Sequence, residues 1–376
     1  MSLTICLAAS TIEYPEGGGH LWVYLNWALG LQALGCRVVW LEGIDPAMPV
    51  QQVRTLTSML KSRLESYGLA DDVALCSWDG APLPQAMTEK CLDVDAAVEA
   101  DLLLNLAYSI PSQVVERFQR TALVDIDPGL LQLWMSAGLV NPAQHDVYFT
   151  IGETVGKPAA RFPDCGLQWH YTPPAVFLPA WPMTRTSSRT PFTTVSGWWE
   201  DWIVYQGENV NNDKRTSFLE YADLPLHTSA QLELALCLSN EDDEDRRFLE
   251  QRGWKIRDSW EVAPNPKQYQ SYIQRSRGEF SCAKPSCMLL QNAWISDRTL
   301  CYLASGKPAV VQHTGSSNFL PDAEGLFRFH NIEEAARALT MVQSDYEQQC
   351  ILARHLAEDY FDAQKVVGSV LERALA

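Results

Sequence analysis

The chain has 376 residues, of which 47% are hydrophobic, 20% charged and 10% aromatic. This composition supports a large core and excludes a chain that is disordered throughout, and the length is typical of two domains. With 29 basic and 46 acidic residues the net charge is −17, which argues against nucleic acid or an anionic membrane surface as a partner.

The first forty residues predict a strand, a loop and a helix. Residues 4–10 are a short apolar run, and a polar turn with glycines separates them from the periodic segment 20–34. Gly35 suits the left-handed position that ends a helix, and the apolar residues 36–42 predict a second strand. Further strands are predicted at residues 73–77, 101–107, 122–127 and 147–151. With helical patterns between several of them, the first half is expected to be α/β with a parallel sheet.

Six prolines between residues 161 and 191 predict a linker, because proline removes backbone donors that a continuous sheet needs. The second half then predicts strands at 193–197, 232–238 and 309–312, and helices near 242–251, 266–276, 297–305 and 332–342. Residues 345–374 are helical in pattern and long enough to fold back onto another domain. We therefore expect two Rossmann-like domains, at residues 1–183 and 184–376.

The ten cysteines form no CxxC pair, so the sequence favours neither a zinc cluster nor a compact disulfide framework. The apolar run at residues 3–9 lacks a basic flank and is too short for a secretory signal. A stretch of about 18 uninterrupted apolar residues, which a membrane span needs, does not occur. The expectation is a cytoplasmic protein without a transmembrane segment.

The first candidate site is the loop Glu16-Gly17-Gly18-Gly19-His20, between the first strand and its helix. Small residues let the backbone approach a ligand there, and exposed N–H groups at a helix start favour an anion. His20 stands at the start of the helix, where an imidazole can remove a proton from a hydroxyl. The alternative is a tight turn with His20 as a surface residue.

Two carboxylates, Asp125 and Asp127, lie at the end of the strand predicted at residues 122–127. They are expected at the carboxyl end of the sheet, where open α/β folds bind ligands, and either could orient His20. A role in capping the helix after Pro128 is the structural alternative. A third interpretation is a carboxylate pair that holds a divalent metal on a diphosphate.

In the second half the informative segment runs from residue 278 to residue 329. Thr314 and Gly315 open a loop after a predicted strand, so their backbone could lie against a phosphate. Gly306 and Pro308 mark a helix end and a strand start, which are also ordinary features of the fold.

Three cations in this half are phosphate candidates by charge: Lys214, Lys284 and Arg298. A solvated surface is the usual alternative for each. Ser296 and Asp297 precede or begin a helix, where such residues serve as N-caps in many proteins, so a ligand role for Asp297 competes with capping.

Tryptophans 198, 199 and 202 lie close together in sequence and could stack on a sugar ring or nucleobase, although core packing is the alternative. The acidic run at residues 241–245 is expected to be a solvated helix start, and we assign it no function.

Two segments carry a family resemblance. Gly17-Gly18-Gly19-His20, with Gly35 and the strand at residues 37–42, resembles the first β-α unit of GT-B glycosyltransferases, especially the lipid-linked N-acetylglucosamine transferase of peptidoglycan synthesis. Residues 302–311, continuing through Thr314-Gly315 to residues 324–327, resemble the nucleotide-sugar half of the same superfamily. The two segments cover about a quarter of the chain, in the order that this superfamily has.

The resemblance implies two Rossmann-like domains that face each other across a cleft, with the C-terminal helix crossing back to the first. It implies a nucleoside diphosphate sugar as donor substrate, UDP or TDP being favoured, with no cofactor and no metal. The acceptor would be held by the first domain, with Glu16 and the three glycines as its loop and His20 as the base. Asp125 or Asp127 would be the partner of His20.

For the donor, the resemblance implies positions in the second domain. Lys214 and Lys284 would lie near the diphosphate, and Thr314 and Gly315 would present their backbone to it. Three further residues would lie along the nucleotide or the sugar, namely Ser296, Asp297 and Arg298. Many retaining members have a ribose-binding Glu where this chain has Cys301, so either Asp297 one turn earlier takes that role or donor recognition differs, and donor identity and stereochemistry stay open.

The predicted activity is sugar transfer to a hydroxyl-type acceptor of unknown identity. A sugar-nucleotide epimerase would use similar donor contacts. A nicotinamide-dependent oxidoreductase is suggested by Glu42 at the end of the second strand, although adjacent glycines fit its GxGxxG spacing poorly. A carbohydrate or nucleotide sensor without turnover is the non-enzymatic alternative.

Overall fold

The computed structural model describes residues 3–376 and divides into two compact units. Unit 1 contains the residues up to 156 together with 163–177 and 363–376, and unit 2 contains 157–162 and 178–362. The main passage from unit 1 to unit 2 falls at residues 177 and 178, within the proline-rich stretch. Among residues 3–376, no helix combines the length and the apolar character needed to cross a bilayer.

Unit 1 is built on a parallel sheet of seven strands in the order β3-β2-β1-β4-β5-β6-β7. The central strands are buried along nearly their whole length, which explains their continuous apolar sequences. The strands are β1 Thr4–Ala9, β2 Arg37–Ile44, β3 Val73–Ser77, β4 Leu102–Asn105, β5 Thr121–Asp125, β6 Val147–Thr150 and β7 Trp169–Tyr171.

Six helices of unit 1 connect these strands: α1 Gly18–Ala33, α2 Val50–Leu64, α3 Gln85–Thr88, α4 Val94–Ala97, α5 Ser112–Val115 and α6 Leu130–Ser136. Helix α1 is apolar around most of its circumference and is largely buried, including Trp22 and Trp27. It ends as predicted, since Gly35 follows it with a φ of 82°.

Unit 2 has a six-stranded parallel sheet in the order β12-β11-β8-β13-β14-β15 and a separate antiparallel hairpin of β9 and β10. Its strands are β8 Phe192–Ser196, β9 Ile203–Tyr205, β10 Glu208–Val210, β11 Leu232–Leu236, β12 Lys255–Asp258, β13 Gly278–Ser281, β14 Ala309–Gln312 and β15 Leu326–Phe329. The sequence did not predict the hairpin, which turns at Gln206 and Gly207, both with positive φ as in a two-residue type I′ turn.

Eight helices belong to unit 2: α7 Lys214–Glu220, α8 Asp243–Glu250, α9 Ser259–Val262, α10 Pro266–Arg275, α11 Pro285–Leu290, α12 Asp297–Ala304, α13 Ile332–Ser344 and α14 Tyr346–Leu356. Several of these helices begin at a residue whose side chain caps the helix N-terminus. Asn265 and Asn331, for example, each accept a hydrogen bond from the backbone N–H three residues later. Stacked aromatic rings of Phe280 and Phe329 lie in the core of this unit.

The predicted helical stretch at residues 345–374 is interrupted. After α14 a π-helical turn covers Ala357–Phe361, and α15 then runs over Ala363–Leu375. Helix α15 belongs to unit 1, where Ala363 donates a backbone hydrogen bond to Val176 and packs against Gly30 of α1. This confirms the expected return of the C-terminal helix to the first domain.

Both sheets have the doubly wound order in which strands run outward in both directions from the first strand of the unit. In unit 1 that first strand is β1, and in unit 2 it is β8. In such sheets ligands bind at the carboxyl ends of the strands, so the loops after β1, β5, β8, β13 and β14 are the places to look for a site.

Candidate active site

The loop between β1 and α1 is shaped by an aromatic ring. Gly17 precedes α1, and a Cβ atom at this position would lie 2.2 Å from the ring of Tyr14, so any side chain would displace that ring. Gly18 is buried in the first turn, whereas Glu16 is exposed. The glycines therefore bring the helix start against Tyr14 and place His20 in the first turn of α1.

The orientation of His20 is fixed by the main chain. Its Nε2 lies 2.6 Å from the carbonyl oxygen of Ser10, and its ring makes edge contacts with Tyr14 and Tyr24, with centroids 5.6 and 5.4 Å away. A carbonyl oxygen only accepts hydrogen bonds, so Nε2 carries the proton. In the neutral ring Nδ1 is then the basic nitrogen.

A buried carboxylate on β2 holds the loop between β1 and α1 by hydrogen bonds. Glu42 accepts hydrogen bonds from the backbone N–H groups of Thr11 and Ile12, at 2.9 and 3.2 Å, from the Thr11 hydroxyl, and from Trp40 Nε1 at 2.8 Å. Burial raises the pKa of this carboxyl, and the hydrogen bonds oppose that effect. Both carboxylate oxygens of Glu42 accept hydrogen bonds from within the protein. Glu42 is therefore not placed to bind a ribose, as a nicotinamide-dependent oxidoreductase would require.

Asp125, at the end of β5, is completely buried. It accepts hydrogen bonds from Gln132 Nε2 and Thr150 Oγ1, both at 2.8 Å, and from the backbone N–H of Asp127 at 3.0 Å. Gln132 also accepts from the N–H of Gly129 at the start of α6. Burial raises the pKa of Asp125 to about 7, against the effect of its hydrogen bonds. The residue thus organises the loop between β5 and α6.

Asp127 lies two residues further on and is joined to Tyr108, a residue that the sequence did not single out. The Tyr108 hydroxyl donates to Asp127 Oδ2 at 3.3 Å and accepts from the N–H groups of Ile126 and Asp127. Burial and the two nearby carboxylates raise the pKa of Tyr108 well above its ordinary value, so the hydroxyl stays protonated. Its place just after β4, at the carboxyl edge of the sheet, was the signal that could have found it.

His20, Tyr24, Tyr108 and Asp127 line one cavity of about 780 Å³ in unit 1. Trp78 and other apolar side chains form much of its remaining wall. The structure therefore brings the predicted histidine and one predicted aspartate to the same cavity, whereas Asp125 is completely buried and does not line it. This volume is in the range of small-molecule sites.

In unit 2 the segment from β10 to the start of α7 meets the loop after β13, and each carries a lysine. Lys214 begins α7, and Lys284 precedes α11. The two segments are joined where Asn212 Oδ1 accepts a hydrogen bond from the backbone N–H of Ser286 at 3.0 Å. Asn212 and Ser286 are both buried, and neither was predicted from the sequence.

The ammonium group of Lys214 is electrostatically unusual. Burial, and after it the positive charges of Arg298 and Lys284, lower its pKa to about 7. Lys214 therefore lies within electrostatic reach of the two other cations named from the sequence. Lys284 also forms an ion pair with Glu200 at 2.7 Å.

Arg298 differs from the lysines because its side chain is built into the fold. It is buried, pairs with Glu279 at 2.7 Å, and donates to the carbonyl of Val195 at 3.0 Å and to the Ser281 hydroxyl. These bonds join α12 to β8 and β13, and the opposite charge of Glu279 helps to raise the pKa of Arg298 despite its burial. Arg298 therefore acts on Lys214 as a positive charge that the fold holds in a fixed position.

Ser296 and Asp297 lie at the start of α12. Ser296 is the N-cap, and its hydroxyl accepts from the backbone N–H of Arg298 at 3.3 Å. Asp297 is partly exposed in the first turn, where a carboxylate is favoured by the helix dipole. Cys301, in the position where the resemblance leads one to expect a ribose-binding Glu, is buried in the same helix.

Thr314 and Gly315 pack against the loop that precedes α12. The Thr314 hydroxyl donates to the carbonyl of Trp294 at 2.5 Å, and its own carbonyl accepts from the N–H of Ala293 at 3.0 Å. Gly315 has a φ of 128°, and a Cβ there would lie 2.7 Å from the Gln291 carbonyl oxygen, so only glycine fits. Gln291 and Ala293 themselves have positive φ, a backbone strain that proteins often keep at functional sites.

Two carboxylates of the acidic run at residues 241–245 accept hydrogen bonds from tryptophan side chains. Trp199 Nε1 donates to buried Asp242 at 2.8 Å, and Trp198 Nε1 donates to Asp245 at 3.0 Å, which also pairs with Arg215. The prediction that these carboxylates are all solvated is wrong for Asp242, which contacts with the loop after β8 bury, and for Asp245, which such contacts bury in part. Trp198 is core, as one alternative had it, while Trp199 and Trp202 are more than half exposed.

Within residues 3–376, no cluster of three His, Cys, Asp or Glu side chains is arranged to hold a metal ion. Asp125 and Asp127 do not form an open carboxylate pair, since the Asp125 oxygens accept from Gln132, Thr150 and the main chain.

Comparison with known proteins places the chain by its fold. No protein-family model and no curated protein matches the sequence. Among solved structures, an alpha-glucosyltransferase in complex with UDP-glucose and DNA containing an abasic site is 12% identical with a TM-score of 0.59, and the match covers 100% of both chains.

Two further structures match over almost their full length. A pneumococcal O-GlcNAc transferase in complex with UDP and GlcNAc is 10% identical with a TM-score of 0.57, covering 99% of this chain and 98% of that one. A glycosyltransferase involved in avilamycin A biosynthesis is 12% identical with a TM-score of 0.52, covering 99% and 97%. At such identities the likeness shows the fold, and it confirms the predicted GT-B fold of two Rossmann-like units.

Proposed function

We propose that this protein transfers a sugar from a nucleoside diphosphate sugar to a hydroxyl of an acceptor. The observation that carries the proposal is the pair of lysines, Lys214 and Lys284, at the carboxyl edge of the unit 2 sheet in a chain with the GT-B fold. Solved structures with this fold contain UDP or UDP-glucose, which makes a uridine donor the first candidate and TDP the second.

The donor diphosphate would be bound in unit 2. The Lys214 ammonium is partly desolvated and its nearest charged neighbours include two cations, so an anionic ligand would relieve a repulsion. Lys284 would supply the second charge, as a point-like donor to phosphate oxygens. Thr314, Gly315, Ser296 and Asp297 would surround the nucleotide or sugar, and Arg298 would act through its positive charge.

The acceptor hydroxyl would be bound in the cavity of unit 1. His20 Nδ1 would remove its proton, while the Nε2–H bond to the Ser10 carbonyl holds the ring and stabilises the imidazolium that forms. Asp127 and Tyr108 line the same cavity and offer a carboxylate and a hydroxyl to a polar acceptor. Asp125 and Glu42 would act as positioning residues, through the loops that carry Asp127 and His20.

In the transfer, the bond between the anomeric carbon and the β-phosphate oxygen breaks, and that oxygen keeps the electron pair. The acceptor oxygen forms the new bond to the anomeric carbon and its proton passes to His20. The two lysines would stabilise the negative charge that develops on the leaving diphosphate. No metal is needed in this scheme, and turnover should persist in excess chelator.

The first test is thermal unfolding of the whole protein with UDP, TDP, GDP, ADP and NADH. A ligand at about 100 times its dissociation constant adds about 2.7 kcal/mol to the free energy of unfolding. Selective stabilisation by UDP or TDP is expected. Stabilisation by NADH alone would replace the proposal with an oxidoreductase.

The second test separates transfer from epimerisation. UDP-glucose and UDP-GlcNAc are incubated with the protein, with and without a panel of sugar, lipid and peptide acceptors, and free UDP is measured together with the identity of the remaining nucleotide sugar. Transfer predicts acceptor-dependent release of UDP. An epimerised nucleotide sugar without any acceptor would contradict it.

A further inference from the structure

The loop between β8 and β9 carries a carboxylate into the basic cluster of unit 2. Glu200 forms an ion pair with Lys284 at 2.7 Å, with 41% of the Glu200 side chain and 25% of the Lys284 side chain exposed. The backbone N–H of Glu200 donates to Asp213 Oδ1 at 2.8 Å, and Asp213 directly precedes Lys214. The carboxylate is therefore held at this place by its own main chain as well as by the ion pair.

The pairing alters the charge available to a phosphate ligand. Arg298 is already neutralised by buried Glu279, at 2.7 Å, which leaves the two lysines as the net positive groups. Glu200 in turn neutralises Lys284, so that within residues 3–376 Lys214 is the member of this cluster for which no carboxylate lies within ion-pair distance. A carboxylate so placed competes with a phosphate oxygen for the same ammonium group.

Substrate and product of the proposed reaction differ in charge at this position. When the bond to the sugar breaks, the terminal phosphate gains an ionisable oxygen, so the released nucleoside diphosphate carries one more negative charge than the nucleotide sugar. Repulsion by a nearby carboxylate therefore acts more strongly on the product than on the donor.

We infer that Glu200 determines the selectivity of this site for nucleotide sugar over nucleoside diphosphate, by competing for Lys284 and so favouring release of the product. The inference rests on the proposed function, since it takes the lysines as the diphosphate site. It does not require Glu200 to touch the sugar or to take part in bond breaking.

A purely structural role for the ion pair predicts something different. Partly exposed ion pairs contribute little to folding, so the loss of this one changes stability only slightly. The binding of anions, in contrast, responds directly to removal of a competing carboxylate. Asp201, the next residue, is exposed and offers a matched control, because its neutralisation changes the net charge of the protein by the same amount.

The experiment is calorimetric titration of the wild type, Glu200→Gln and Asp201→Asn with UDP, UDP-glucose and UDP-GlcNAc, at low and high salt. At low salt we expect Glu200→Gln to bind UDP about fivefold more tightly and the nucleotide sugar only about twofold more tightly. High salt should reduce both changes, and the melting temperature should stay within about 2 °C of wild type. Asp201→Asn should leave the ratio of the two affinities unchanged.

Equal tightening of UDP and nucleotide sugar, no tightening, or the same ratio change in Asp201→Asn would overturn the inference while leaving the donor site intact. Failure of the wild type to bind any of the three nucleotides would instead overturn the proposed function itself. If Glu200→Gln melts well below the wild type, Glu200→Asp provides the second measurement, since it keeps the charge and should keep the selectivity.

Discussion

In unit 1 the charged side chains buried near the carboxyl ends of the strands are carboxylates, whereas in unit 2 they include cations. Glu42 accepts hydrogen bonds from the loop after β1, and Asp125 accepts them from Gln132 and Thr150, so their positions are explained by the fold alone. Lys214 instead has Arg298 and Lys284 as its foremost charged neighbours. Since both sheets have the same doubly wound order, the difference lies in the loops.

In these two units, buried charges that serve the fold can be distinguished from charges that point to a ligand. A buried charge that the main chain satisfies positions a loop, while a partly desolvated cation beside other cations is stabilised by an anion from outside. Variants of His20, Glu42, Asp125 and Lys214 test this distinction.

The largest effect is expected at His20. The variant His20→Gln can keep the hydrogen bond to the Ser10 carbonyl, because its amide N–H replaces Nε2–H, but it lacks the basic Nδ1. Turnover should fall by about 1,000-fold with UDP affinity unchanged, as measured by UDP release and by calorimetry. His227→Asn, at an exposed position of unit 2, is the control. Retained turnover in His20→Gln would remove His20 from the mechanism.

Next is the loop anchor Glu42. Removal of this carboxylate in Glu42→Ala leaves buried donors of Thr11, Ile12 and Trp40 without their acceptor. The free energy of unfolding should fall by about 3 kcal/mol, measured by denaturant titration. Glu65→Ala, at an exposed position, should change it by less than about 0.5 kcal/mol. A small loss in Glu42→Ala would mean that the loop is held by something else.

The smallest effect concerns pH, and its sign differs between the units. The pKa of Asp125 is raised to about 7, so the folded state binds more protons than the unfolded state and stability falls as pH rises from about 4 to about 7. The pKa of Lys214 is lowered to about 7, so stability rises with pH from about 7 to about 10.

The full linkage would amount to about 4 kcal/mol for each group, but the effective dielectric constant around buried charges is well above that of a dry interior, so denaturant titrations across this range should show each contribution as about 1 to 2 kcal/mol. In Asp125→Asn the acid-side slope should weaken and the alkaline-side slope persist, and Lys214→Met should show the reverse. An unchanged profile in both variants would contradict the assignment of opposite buried charges to the two units.

Local patterns predicted much of the fold. Apolar runs gave β1, β3 and β14 to within a residue, and Gly35 marked the end of α1, because strand burial and helix termination are encoded by adjacent residues. The hairpin of β9 and β10 was missed because its strands are only three residues long and partly polar.

Placement in the cavity was predictable only where position along a strand or helix sufficed. His20, at the helix start after the glycine loop, and Asp127, just after β5, were named from such positions and both line the cavity, while their catalytic roles stay predictions. Tertiary partners were not predictable: the pairing of Arg298 with Glu279, or of Lys284 with Glu200, joins segments that no local pattern connects. The same limit explains why Asp125 was assigned an open role although Gln132 and Thr150 enclose it.

The role of Lys214 in binding the donor diphosphate is tested by calorimetric titration of UDP and TDP into the wild type, Lys214→Met and Lys267→Met, the last a variant of an exposed lysine in α10. We expect the wild type and Lys267→Met to bind one of the two nucleotides equally well, and Lys214→Met to lose about 30-fold in affinity. The affinity of the wild type should weaken above about pH 7, because Lys214 loses its proton there. Equal binding by Lys214→Met and the wild type, or no binding by any of the three proteins, would contradict this role of Lys214.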